Sequence, residues 1–128
     1  MQLGQIAVTV SSVGAALEFY RDILQLELLF EAGPDLAFVR AGDVRIMLST
    51  PQGAGSVGSN SILYFKVVDI ESTFESFVKR GAASERPPGL TARMADHDLW
   101  IGFLRDGDGN LVGIMEEKTR RGDARPNS

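Results

Sequence analysis

QIAVTV, residues 5–10, and ILYFKV, residues 62–67, decide the fold, because they read as one strand written twice. In the first, Ile6, Val8 and Val10 share a face and Gln5, Ala7 and Thr9 the other. In the second, Leu63, Phe65 and Val67 oppose Ile62, Tyr64 and Lys66. Period-two alternation of this kind predicts a half-buried strand. Laying Val10 on Val67 puts Val8 on Phe65, Ile6 on Leu63, Gln5 on Ile62 and Glu18 on Glu75, each pair 57 residues apart (67 − 10, 75 − 18) without a gap. The segment after each strand repeats as well. Ser11 or Ser12 can cap a helix with the apolar stripe Val13, Ala16, Leu17, Tyr20 and Leu24. Asp69 can cap a second, with the stripe Ile70, Phe74, Phe77 and Val78, ending near Gly81.

Three strands are predicted after the first helix, at 26–31, 36–41 and 44–49, punctuated by Gly33-Pro34 and Gly42-Asp43. After the second helix they are predicted at 82–86, 98–105 and 110–116. Phe38 falls on Phe103 and Arg40 on Arg105, and one extra turn residue then brings Met47 onto Gly113. This is an internal duplication of a β-α-β-β-β unit. The modules span 1–50 and 61–117, joined by the Gly/Ser-rich linker PQGAGSVGSN (51–60) and followed by a polar tail (118–128) that reads as disordered. Two helices are too few to cover both faces of a doubly wound parallel sheet. The expected fold is therefore α+β, two tandem modules forming a curved eight-stranded mixed sheet around a cleft.

The totals narrow the function. The chain has 128 residues, 44% of them apolar and 23% charged, enough for one stable core. Its net charge of −4 and the lack of a basic stripe argue against a nucleic-acid partner. With no cysteine, disulfides and thiolate chemistry are excluded. No apolar run approaches the roughly 20 residues that span a bilayer, and no signal-peptide pattern opens the chain, so no membrane partner and a cytoplasmic location are expected.

Three phrases carry a resemblance: IAVTVSSVGAALEFYRDILQLEL, ILYFKVVDIESTFESFVKRG and GFLRDGDGNLVGIMEE. On these the chain resembles the vicinal oxygen chelate superfamily of glyoxalase I, bleomycin-resistance proteins, fosfomycin-resistance enzymes and extradiol dioxygenases, over about residues 3–117. The resemblance implies a homodimer with a small-molecule cleft across or beside the subunit interface. In metal-using members the ligands come from the first and last strands of each half, which here correspond to Gln5, Met47, Ile62 and Gly113. Gln is an occasional ligand in such glyoxalases, but Met47 and Ile62 offer no oxygen or imidazole and Gly113 offers no side chain. An open divalent site needs about three converging nitrogen or oxygen ligands. No metal and no cofactor are expected. Glu116 has the opposite parity to Gly113, and Glu117 has the same parity but lies about 13 Å further along at ~3.3 Å per residue.

Outside those positions, His97 in ARMADHDLW (92–100) is the single histidine and the candidate catalytic acid or base, since this residue type titrates near neutral pH. A loop histidine bonded to backbone is the bland alternative. Candidate ligand contacts are Gln5, Met47, Tyr64, Lys66, Arg93 and Trp100. Tyr64 and Lys66 share the parity of Ile62, where Tyr64 donates to a ligand or fills space and Lys66 meets an anion or reaches water. Arg93 and Trp100 flank His97, and an aromatic with an arginine suits a planar or acidic organic ligand. Trp100 equally fits core or dimer packing, and Met47, Met94 and Met115 fit a soft wall or gap-filling. DGDGN (106–110) resembles the start of a calcium loop, but Leu111 occupies the sixth position, where the sharp turn needs Gly, so a hairpin turn is expected.

Two functional classes are consistent with these residues. One is a metal-free binder of a small organic molecule, of the drug-sequestering kind. The other is a glyoxalase-type lyase or isomerase, or a dioxygenase-related enzyme, using a displaced metal or His97.

Overall fold

The computed structural model describes residues 1–51 and 56–120. The duplication is visible in its topology. β1 (Gln5–Thr9), β2 (Glu27–Glu31), β3 (Leu36–Ala41) and β4 (Val44–Ser49) form a sheet of order β1-β4-β3-β2. β5 (Leu63–Lys66), β6 (Ala83–Arg93), β7 (Asp98–Arg105) and β8 (Leu111–Lys118) form a second of order β5-β8-β7-β6. In both, the first strand runs parallel to the last and the other pairs are antiparallel. The tandem α+β architecture therefore holds. Its eight strands divide between two four-stranded mixed sheets; hydrogen bonding does not join them into one.

Helix α1 (Val13–Leu17) starts at Ser12, whose hydroxyl accepts from the Ala15 amide, and continues as a π-helical turn, Glu18–Ile23. The predicted stripe holds: Val13, Ala16, Leu17, Tyr20 and Leu24 are buried, together with Phe19. Helix α2 (Ile70–Lys79) is capped by Asp69, and the Glu116 carboxylate accepts from the Ile70 amide. Ile70, Phe74 and Phe77 point inward, each contributing roughly 1.5–3 kcal/mol of burial, whereas Val78, expected in the same stripe, is exposed at the edge of the buried face. Both helices and the inner faces of both sheets share one core, in which Val8, Ile46 and Leu48 join Leu104, Val112 and Ile114. Gly102 is part of that fit: a Cβ there would lie 2.9 Å from the Phe74 ring.

A polar clasp ties the modules together. Buried Asp106 accepts from the Tyr20 hydroxyl (2.8 Å), the Asp108 and Asn110 amides, and the Asn110 side chain. Asp108 accepts from the Ser11 hydroxyl and amide, and Asn60 bridges Thr9 and Asn110. DGDGN is thus a hairpin turn, closed by the Asp106 amide donating to the Asn110 carbonyl.

Two expected boundaries shift. β6 runs to Arg93 instead of ending at 86, passing through Pro87-Pro88. An edge strand tolerates these prolines because one side of its backbone has no partner to serve, and the register shifts from Arg86 to Gly89 absorb them. At the other end, β8 closes at Lys118, which pairs with Glu71, and Arg120 grips the β6–β7 turn through the Met94, Ala95 and His97 carbonyls. The tail beyond 120 and linker residues 52–55 lie outside the described residues.

Candidate functional site

Burying one face of each sheet against the helices leaves the other face open, and the strand registers fix which residues stand on it. In the first sheet one row crosses the strands as Ala7, Met47, Phe38 and Phe30, and the next as Gln5, Arg45, Arg40 and Glu27. Phe30 and Phe38 stack at 4.6 Å. The Arg45 guanidinium lies over Phe38 at 4.9 Å and donates to the Gln5 amide oxygen at 2.8 Å. The Gln5 nitrogen faces the Met47 sulfur at 3.7 Å. Met47 borders a cavity of about 460 Å³ with Thr9, Asp35 and Leu36.

In the second sheet the matching row is Tyr64, Gly113, Phe103 and Arg86. The Tyr64 ring lies so close over Gly113 that a Cβ there would collide with the ring carbons. Phe103 meets the ring edge-on at 5.8 Å, and the Arg86 guanidinium lies over Phe103 at 4.9 Å. Gly113 is a seat for an aromatic ring: a glycine in a strand lets a neighbouring strand's ring cover the backbone.

His97 ends the turn between β6 and β7. Its Nδ1 is 2.7 Å from Asp96 and its Nε2 is 3.6 Å from Glu117, whose other oxygen accepts from Lys66 at 2.7 Å. The Lys66 hydrogen bond, followed by its charge, holds the Glu117 carboxyl below its ordinary pKa. Glu117 is therefore a hub between His97 and Lys66. Its parity in the sequence fits the open face, but its partners are not legible there.

The expected site residues are thus only partly gathered. Tyr64, Lys66 and His97 share the open side of the second sheet. Gln5 and Met47 share the open side of the first sheet. Trp100 stands on the other side of β7: it packs against the core, and Lys118 lies over its ring at 4.4 Å. Arg93 goes with it, pairing at 3.9 Å with Asp98, which has the same parity as Trp100. The sequence carries that parity, because Trp100 is an odd number of residues from Phe103. Sequence reasoning missed Arg45 and Arg86, and the pairing of Phe38 with Phe103 in the internal repeat is the signal that leads to them.

The four positions that the resemblance gives as metal ligands carry a poor donor set here. The Gln5 oxygen is engaged by Arg45, Met47 offers a thioether, Ile62 a hydrocarbon, and Gly113 lies beneath a ring. Among the described residues, no three His, Asp or Glu side chains are grouped to hold an ion. The residues present do not fit that metal. Nor, among the described residues, is any helix long and apolar enough to cross a membrane.

Residues 2–114 match the model of the Glyoxalase/Bleomycin resistance protein/Dioxygenase superfamily. The chain belongs to this superfamily. A Bacillus subtilis (strain 168) relative, the uncharacterized protein YraH, is 29% identical over 132 residues, covering 91% of this chain and 98% of the relative. Among solved structures, a superfamily member from Sphaerobacter thermophilus aligns with a TM-score of 0.75 at 22% identity, covering 91% of this chain and 98% of that one. A lactoylglutathione lyase from Agrobacterium tumefaciens aligns with a TM-score of 0.74 at 22% identity, covering 90% and 92%. Superfamily scaffolds host many chemistries, so the reading of function rests on the site.

Proposed function

We propose that this protein is a cytoplasmic, homodimeric, metal-free binder of a small organic molecule. Sequestration of a drug-like compound is the narrower form of the proposal. One observation carries it: the Tyr64 ring covers Gly113, so a superfamily metal-ligand position has become part of an aromatic surface. Aromatic and apolar surface with a few polar groups is the usual makeup of an organic-ligand site. The homodimer is supported by the resemblance and by the division of the open faces. Met47 borders a cavity on the first, while Tyr64 and Lys66 stand on the second. A second copy can bring such faces together.

A second reading, acid–base catalysis at His97 in a glyoxalase-type or dioxygenase-related enzyme, is favoured by the Asp96–His97–Glu117 contacts. A carboxylate on each side of an imidazole fixes the orientation of the ring.

Elemental analysis of the purified protein, with thermal shifts in Zn²⁺, Ni²⁺ and Mn²⁺, tests the proposal. No stoichiometric ion and no ion-specific stabilisation are expected; a bound ion with a large shift contradicts it. His97→Ala separates the readings, since it leaves a binder's affinity within a few-fold but abolishes turnover by an acid–base enzyme. Light scattering should give a mass of two chains.

A further inference from the structure

We propose that Arg86, held over Phe103 on the open face of the second sheet, is an anion-receiving residue, and that the ligand is a planar organic acid. This rests on the reading of the protein as a small-molecule binder and names the chemical class it takes.

The other cations on this face are already engaged: Lys66 is paired with Glu117 and Arg105 with Glu85. Arg86 has no hydrogen bond or ion pair among the described residues, although Glu85 precedes it directly in the chain. It is exposed but positioned, because its guanidinium lies over the Phe103 ring. Stacking on an aromatic face leaves the guanidinium's N–H donors available, and a planar guanidinium matches a carboxylate with two parallel hydrogen bonds.

The surroundings supply the rest of a binding surface. Arg86 stands between two shallow cavities. One, of about 360 Å³, is walled by Pro87, Leu90 and Ile101. The other, of about 290 Å³, is walled by Phe103, Leu111 and the Arg105–Glu85 pair. Across the row lies the half-exposed Tyr64 ring, which a bulkier residue at 113 would displace. An anionic head at Arg86 therefore has apolar and aromatic surface on both sides for a flat body.

A separate observation comes from the first module. Its duplicate of Phe103 is Phe38, and Arg45 lies over that ring at the same 4.9 Å. Arg45 also has no carboxylate partner among the described residues, donating instead to the neutral Gln5 amide. The two arginines come from non-equivalent strands, β4 and β6, so copying of one sequence does not account for both. Each module has placed an uncompensated guanidinium on the same aromatic platform.

The test compares three probes of one shape and different charge on the full chain: benzoate, benzamide and benzamidine, titrated while amide NMR signals are followed. Benzoate should shift the Tyr64, Phe103 and Gly113 signals and bind at least ~10-fold more tightly than either other probe, the scale of one charge-assisted pair. Arg86→Gln should abolish that preference while circular dichroism and melting temperature stay unchanged, and Arg86→Lys should retain part of it. Equal binding of benzoate and benzamide overturns the anion assignment and leaves the small-molecule reading standing. A preference that survives Arg86→Gln but is lost in Arg45→Gln overturns the assignment to Arg86. Failure of all three probes to bind overturns both this inference and the reading beneath it.

Discussion

The two modules share a topology and a central phenylalanine, yet their matching rows solve one packing problem differently. In the first, Met47 stands opposite Phe38 with a side chain of its own. In the second, the equivalent Gly113 fills nothing, and Tyr64 from the neighbouring strand swings over it towards Phe103. The turns after Phe38 and Phe103 also diverge. Gly42 and Asp43 make a tight turn beside a crevice, whereas Asp106 to Asn110 make the clasp that holds Tyr20 and Ser11 of the other module. One module has a plain turn and a side chain in the row. The other has the inter-module contact and an aromatic surface.

The largest effect should come from breaking the clasp. Asp106→Ala strands the buried Tyr20 hydroxyl and the Asn110 side chain, and should cost about 3 kcal/mol in urea denaturation, from two or more unsatisfied groups at roughly 1–3 kcal/mol each. A loss below about 1 kcal/mol would mean the modules are held by their apolar core alone.

Making the second row resemble the first comes next. Gly113→Met drives a Cβ into the Tyr64 ring and should cost ~1–3 kcal/mol, as overpacking does. The double variant with Tyr64→Ala should recover ~1 kcal/mol of that, a coupling readable from a double-mutant cycle. Additive costs would show that the ring does not rest on Gly113. Gly113→Glu should displace the ring in the same way and create no metal site, because Met47 and Ile62 remain poor donors.

Tyr20→Phe removes one donor to Asp106 and should cost ~1 kcal/mol at neutral pH. Its pH dependence is sharper than its size. Burial first, and the Asp106 carboxylate second, push the Tyr20 hydroxyl above its ordinary pKa. A pKa raised on folding gives stability that is complete below the unfolded value, near ~10, and is lost as pH rises above it. Wild-type stability should therefore fall more steeply above about pH 10 than that of Tyr20→Phe.

The smallest effect belongs to the exposed Lys66–Glu117 pair. Here the Glu117 pKa is depressed, so its contribution is present above the ordinary carboxylate pKa and lost as pH falls through the folded value. Lys66→Ala should lower stability slightly at neutral pH and leave it unchanged in acid, so that the acid limb of the stability curve flattens.

Most of the fold is legible because the repeat forces it. Alternation in 5–10 and 62–67, helical stripes on Val13 to Leu24 and Ile70 to Phe77, and turn residues between strands all agree with one architecture. Sequence shortens β6 because Pro87-Pro88 signals a break, and only the strand order reveals an edge where prolines are tolerated. The candidate site is legible in parity but not in partnership. Sequence puts Tyr64 and Lys66 on the open face, but not the ring over Gly113, the Glu117 hub or the stacked Arg86. These depend on register across three strands.

If the second module has exchanged a ligand position for an aromatic seat, the four ligand positions of the superfamily form no ion site in this chain. Titration with Mn²⁺ under NMR observation decides this, because the paramagnetic ion broadens amide signals close to wherever it binds. Weak broadening scattered over exposed carboxylates is expected, with Gln5, Met47, Ile62 and Gly113 no more affected than the rest of their strands. Saturable broadening that converges on those four residues at stoichiometric Mn²⁺ would contradict it.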